Sequence, residues 1–247
     1  MTVRSRPITL VFLSLTLTGC AIVTPPVNIT TWPLTKQAMY FRSPAPYRLA
    51  VLPLSDQRPA QERSGQRAPA LFLLLWNRRV GDYFTGDQLF KGEVATQLSR
   101  QLADYLQATN AFTEVVYVPS SPHDFIPSDS NSIRQIGQPY AADYLLGVEL
   151  QHFFGSQHQH FSMLVLPLYF INSFGWQDSK GFPWGQTTIQ AYLYDGATGK
   201  LVWRHRIEKS HTLPRETDSM AVAALESFAQ AAGELATELR QQQSGTQ

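Results

Sequence analysis

Hydrophobic and polar positions divide the chain into short segments of distinct period. Arg48 to Leu54 is short, continuous and apolar, and Ser55-Asp56 follows it, which predicts a buried strand ending in a loop. Val94, Leu98, Leu102, Tyr105 and Leu106 recur at spacings of three and four. That stripe predicts a helix from about Gln88 to Gln107, capped by Asp87 and ended by Thr109-Asn110. Glu114 to Val118 reads as a second strand, Pro119 to Ser132 as a polar loop, and Ser130 to Ile136 as a short helix. Tyr144 to Phe153 is a third, strongly apolar strand. Thr187 to Tyr194 alternates, with Ile189, Ala191 and Leu193 on one face. Asp195-Gly-Ala-Thr-Gly199 supplies turn chemistry, and Leu201 to Glu208 pairs back as a hairpin. Leu225, Phe228, Ala232, Leu235 and Leu239 give the buried face of a last helix, from Asp218 to Gln241. Residues 242–247 form a frayed tail.

The order of these elements predicts a single α/β domain over residues 48–241. Its central sheet is mixed, with early parallel crossovers, a late antiparallel hairpin and helices packed on it. Residues 20–47 carry Pro25, Pro26, Pro33, Pro44 and Pro46 and no sustained period, which predicts a mostly extended tether.

The first nineteen residues read as an address. Arg4 and Arg6 precede an apolar run from Ile8 to Leu17, and no acidic residue occurs before Asp56. This is the layout of a secretory signal peptide, and the run is about half the roughly 20 residues that span a bilayer. It ends Leu17-Thr18-Gly19-Cys20, which resembles the bacterial lipobox. The resemblance implies cleavage between Gly19 and Cys20 and acylation of Cys20. Two or more acyl chains hold a protein stably on a membrane. Ala21 stands where an Asp tends to retain lipoproteins at the inner membrane, so the resemblance implies the periplasmic face of the outer membrane.

Three further stretches resemble a set of periplasmic lipoproteins. They are Tyr47-Arg-Leu-Ala-Val-Leu-Pro-Leu-Ser-Asp-Gln-Arg58, Tyr140-Ala-Ala-Asp-Tyr-Leu-Leu-Gly-Val-Glu-Leu150 and Tyr192-Leu-Tyr-Asp-Gly-Ala-Thr-Gly-Lys-Leu-Val-Trp203. The set includes the curli secretion channel lipoprotein, activator lipoproteins of penicillin-binding proteins, and YajG-like and DUF799-type lipoproteins, with a fold like the N-terminal domain of TolB. The resemblance implies that architecture and leaves the task open, because folds of this kind host different functions. No pair of long alternating strands marks a transmembrane hairpin.

Composition narrows the function. Among 247 residues, 20 Lys and Arg meet 19 Asp and Glu, and loss of Arg4 and Arg6 leaves a mature charge of −1. Nucleic acid is not expected as a partner, since phosphate binding needs clustered cations. Cys20 is the one cysteine, which excludes an intrachain disulfide, and its acylation leaves no thiol for catalysis. Gly196-Ala-Thr-Gly-Lys200 lacks the spacing and the Ser or Thr of a phosphate loop and lies between two strands, so it reads as a hairpin turn. No serine-nucleophile motif is present. His152, His158 and His160 are close in sequence. Exposed polar positions are the expectation for them, and no metal site, cofactor or catalytic residue is assigned. Asp56 reads as an Asx turn with Arg58 solvated.

Two apolar excursions stand outside the strand–helix order. Ala68 to Trp76 contains Leu73 and Trp76. Phe161 to Trp176 contains Phe170, Phe174 and Trp176, and Phe182-Pro-Trp-Gly185 extends it. If the strands at 48–54 and 144–153 are parallel, both excursions leave the same edge and form a partner or membrane contact. A subsidiary core, or a further strand at 161–170, is the alternative. The expected protein is a non-catalytic accessory or partner-binding lipoprotein of the cell envelope, held to the membrane through Cys20. A homo-oligomer is a further possibility for it. The alternatives are a pore-forming secretion subunit and a metal-binding or hydrolytic protein.

Overall fold

The computed structural model describes residues 26–34, 38–65, 79–84, 86–119, 129–160, 181–215 and 218–244. Among the described residues, seven strands and four α-helices follow in chain order. They are β1 (Ala45–Val51), β2 (Ser55–Asp56), α1 (Ala60–Ser64), β3 (Arg79–Phe84), α2 (Val94–Ala108), β4 (Phe112–Tyr117), α3 (Ser130–Gly137), β5 (Tyr144–His160), β6 (Trp184–Asp195), β7 (Leu201–Thr212) and α4 (Met220–Ser244). The fold is the expected mixed α/β layer.

The sheet runs β4-β1-β5-β6-β7. β1 is parallel to both β4 and β5, while β5, β6 and β7 are antiparallel neighbours. β5 is 17 residues long, about three times a usual strand. Along one edge it carries β1 at Tyr144–Leu146, then β2 at Glu149–Leu150, then antiparallel β3 from Ser156 to His160. The sequence expectation ended this strand at Phe153, because Gly155-Ser-Gln-His-Gln-His160 is not apolar. Pairing with β3 and β6 extends it beyond that point.

One face of the sheet carries the main core. Leu49, Val51, Leu146, Val148, Leu150, Ile189, Ala191 and Leu193 meet α2 and α4 there. Burying one such Leu or Ile contributes about 1.5–3 kcal/mol. α3 covers part of the other face through Ile133, packed with Ala50, Leu52, Leu145 and Tyr194. Asp129 caps α3 by accepting from the amides of Asn131 and Ser132. The β6–β7 connection is a turn: Asp195 accepts from Thr198 N and Oγ1 at 2.7 Å, and Gly199 takes φ +66°. Trp184 and Gly185, expected to extend the second excursion, open β6 instead.

Two expectations need correction. α2 does not run on from Asp87. Residues Asp87–Leu89 form one 3-10 turn, Phe90 is extended, Gly92 takes φ +77°, and the helix starts at Val94. The Asp87 carboxylate is engaged by Arg58, and Phe90 pairs with Val27 and is buried, so neither serves the first turn. The second correction concerns residues 20–47, which are not tether throughout. Val27 bridges Phe90, Ile29–Thr31 form a 3-10 turn, and Ile29 and Leu34 are 1% and 2% exposed in the main core. The domain therefore begins well before residue 48. At the other end α4 continues to Ser244, and its last buried residue is Leu239. Among the described residues no helix is long and apolar enough to cross a membrane.

Candidate functional site

The sheet presents charged side chains at the end where β1 and β2 finish. Asp56 ends β2, and its Oδ1 accepts the Arg58 amide at 3.1 Å, the Asx geometry expected of it. Arg58 is not solvated: its side chain is 1% exposed. Arg58 Nε and Nη2 donate to the two Asp56 oxygens at 2.9 and 2.7 Å, and Nη1 and Nη2 donate to those of Asp87 at 2.8 and 3.2 Å. The guanidinium also lies 5.9 Å from the centre of the Phe153 ring. Burial works against the Asp56 carboxylate and is the largest single influence on it, yet the hydrogen bonds and charge of Arg58 together hold its pKa below the ordinary value. Arg58 is raised despite burial, by Asp56 and Asp87 in the same way.

A second pair adjoins the first. Glu62 in α1 is buried, and its Oε1 lies 2.6 Å from His152 Nδ1. Its Oε2 accepts the Phe153 amide at 3.2 Å. Phe153 thus touches both pairs, which tie the β2–α1 segment and the turn before α2 to β5. Arg58 makes four donations to two carboxylates, and its side chain is almost inaccessible to solvent. The cluster clamps three chain segments.

The opposite end of the sheet holds a cleft of about 440 Å³ lined by Tyr47, Asp143, Tyr144, Asp195 and Gly196. Asp143 accepts the Arg48 amide of β1 at 2.7 Å and Asp195 accepts from Thr198 within its own turn, so both carboxylates have hydrogen-bond partners. Hydrogen bonds from the Thr198 side chain and amide keep Asp195 below the usual carboxylate range. Burial, then Tyr47 and the two aspartates, push the Tyr144 hydroxyl up.

Five histidines lie on β5 and β7. His158 and His160 occupy register positions opposite Asp82 and Arg79 on β3. His205 stacks on Trp203 with ring centres 5.6 Å apart, and His211 meets Gln230 at 2.9 Å. Among the described residues no group of three His, Cys, Asp or Glu could hold a metal ion.

Gly19, Cys20, Leu73, Trp76, Phe170, Phe174 and Trp176 lie outside the described residues. The strands that flank the two excursions are described. β1 and β5 are parallel, the condition for both excursions to leave one edge. Residues 66–78 lead directly into β3 at Arg79, and β5 leads from His160 directly into residues 161–180. Arg79 and His160 are cross-strand partners. β3 is not legible in the sequence, since its Arg-Val-Gly-Asp-Tyr-Phe has neither a clean alternation nor an apolar run. Nor are the pairings of Glu62 with His152 and of Asp87 with Arg58 legible there.

No protein-family model matches the chain, and no curated protein matches it. Solved structures of related shape include bacterial lipoproteins. Protein XCC0632 from Xanthomonas campestris, of family-model DUF330, is 13% identical with a TM-score of 0.47, over 85% of this chain and 95% of that one. A PelC dodecamer from Paraburkholderia phytofirmans gives 11% and 0.40 over 80% and 93%. Lipoprotein GNA1162 from Neisseria meningitidis gives 11% and 0.37 over 81% and 99%. Likenesses at this level carry no function across.

Proposed function

We propose that this chain is a lipid-anchored periplasmic protein of the bacterial outer membrane, acylated on Cys20, that acts by binding an envelope protein partner and performs no catalysis. The anchor rests on Leu17-Thr18-Gly19-Cys20 behind a basic, apolar leader. The observation that supports binding is the pairing of Arg79 with His160. It brings together the ends of two apolar segments that are separated by about eighty residues of chain. Apolar residues gathered at one end of a domain mark a contact surface. Assignment to the outer membrane rests on Ala21 in the position after the lipidated cysteine.

Replacing Phe170 and Trp176 with Ser tests the binding role. Cross-linking in intact cells is expected to give a discrete complex with the wild type and to lose it with the variant, while the variant keeps its denaturation midpoint. Unfolding of the variant would assign these residues to the core. Survival of the complex in a folded variant would overturn the binding surface.

A further inference from the structure

Described residues ahead of β1 are bound to the domain. The Val27 amide donates to the Leu89 carbonyl at 2.8 Å, and the Lys91 amide donates to the Val27 carbonyl at 2.9 Å. Asn28 Oδ1 accepts from the Thr30 amide at 3.1 Å, and Gln101 Nε2 of α2 donates to the Thr30 carbonyl at 2.9 Å. Ile29 and Leu34 fill the main core. Further on, the Phe41 amide donates to the Thr109 carbonyl and Asn110 Nδ2 donates to the Phe41 carbonyl. The chain thus meets the domain beside the start of α2 and follows the helix to its end, where β1 begins.

This docking shortens the reach of the anchor. Seven residue steps separate Cys20 from Val27, at most about 25 Å when fully extended, whereas a free tether to Ala45 would reach about 90 Å. Val27 also sits at a defined end. Its partner Phe90 packs on Phe153 with ring centres 5.5 Å apart. The β6–β7 turn lies at the other end, since Asp195 pairs with Tyr144. Nine residues of β5 separate Tyr144 from Phe153, about 30 Å of strand. If the β6–β7 turn faced the lipid, Val27 would stand about 30 Å above it, beyond the reach of the linker.

We propose that residues 27–34 act as a strap that holds one end of the domain, the end carrying Val27, Phe90 and Lys91, against a phospholipid surface. The cleft beside Tyr47 and Asp195 then faces away from the lipid. This rests on acylation of Cys20. The strap adds a fixed orientation to the anchor, so that the ends of β3 and β5 project toward the membrane side.

The test uses the acylated protein purified from membranes and placed in vesicles of phosphatidylethanolamine and phosphatidylglycerol with a quencher on the headgroups. Lys91→Cys and Ala197→Cys, both at exposed positions, each provide one free thiol for a fluorescent probe. The Lys91 probe is expected to be quenched about twofold or more relative to the Ala197 probe. Insertion of about twenty Gly and Ser residues after Thr24, a flexible coil, is expected to remove that difference. Equal quenching at the two positions, stronger quenching at Ala197, or indifference to the insertion overturns the strap. The mass of the mature N-terminal peptide separates the two failures. Acyl chains with equal quenching sink the strap alone, and a bare Cys20 sinks the anchor and the strap together.

Discussion

Gly155 and Gly185 are cross-strand partners on β5 and β6, and the first turn of α4 lies on both. A Cβ at Gly155 would stand 1.9 Å from the Met220 carbonyl oxygen, and one at Gly185 would stand 2.2 Å from that of Ala223. Both obstacles are backbone, so the helix itself would have to move. Gly185→Ala is therefore expected to cost about 3 kcal/mol, the upper end of the range for overpacking. Urea denaturation followed by circular dichroism reads this as a lowered midpoint, and an unchanged midpoint would mean that α4 docks elsewhere.

The clamp around Arg58 makes an ordered prediction. Asp56 and Asp87 retain some exposure, with side chains 21% and 37% accessible, whereas Arg58 has 1%. Removing both carboxylates (Asp56→Asn with Asp87→Asn) strands a buried cation and is expected to cost about 3–5 kcal/mol. Arg58→Met leaves two carboxylates that water can reach, and its cost is smaller. Denaturation of the three proteins ranks them, and the reverse ranking would contradict the clamp.

Acid should act on the same group. Asp56 has its folded pKa below the unfolded value of 3.8. Its contribution to stability is complete above that value and is lost as pH falls through the folded pKa. The stability gap between wild type and Asp56→Asn is thus expected to be full near neutral pH and to close in strong acid. A gap that stays constant with pH would show that the Asp56 charge contributes nothing.

Alkali should act on Tyr194. Burial, followed by Tyr192 and Glu149, pushes its hydroxyl up from 10.0 to about 12. The neutral phenol is favoured in the fold, so its contribution is complete below the unfolded value and is lost as pH rises through the folded one. Between those values the wild type is expected to lose stability more steeply than Tyr194→Phe. Denaturant midpoints taken across that interval test it, and parallel slopes would contradict it.

These sites differ in how far the sequence discloses them. Strands with continuous apolar runs or clean alternation, β1 and β6, are legible because one face meets a core. So is the Asp195–Gly199 turn, whose chemistry is local. Asp56 accepting the Arg58 amide is legible for the same reason, being two residues away. The ion pair from Arg58 to Asp87 spans 29 residues and carries no periodic signal. β3 exists because β5 offers it an edge, a property of the partner strand. The prolines around Ile29 and Leu34 mask two core residues that only packing reveals. The resemblance of Leu17-Thr18-Gly19-Cys20 to a lipobox is legible because a motif of that kind is a linear word.

Acylation of Cys20 is the central claim, and the intact mass of the mature protein extracted from membranes tests it most directly. A chain beginning at Cys20 and carrying acyl chains on its sulfur and amine is the predicted result. A chain that retains residues 1–19, or that begins at Cys20 with no added mass, would contradict it.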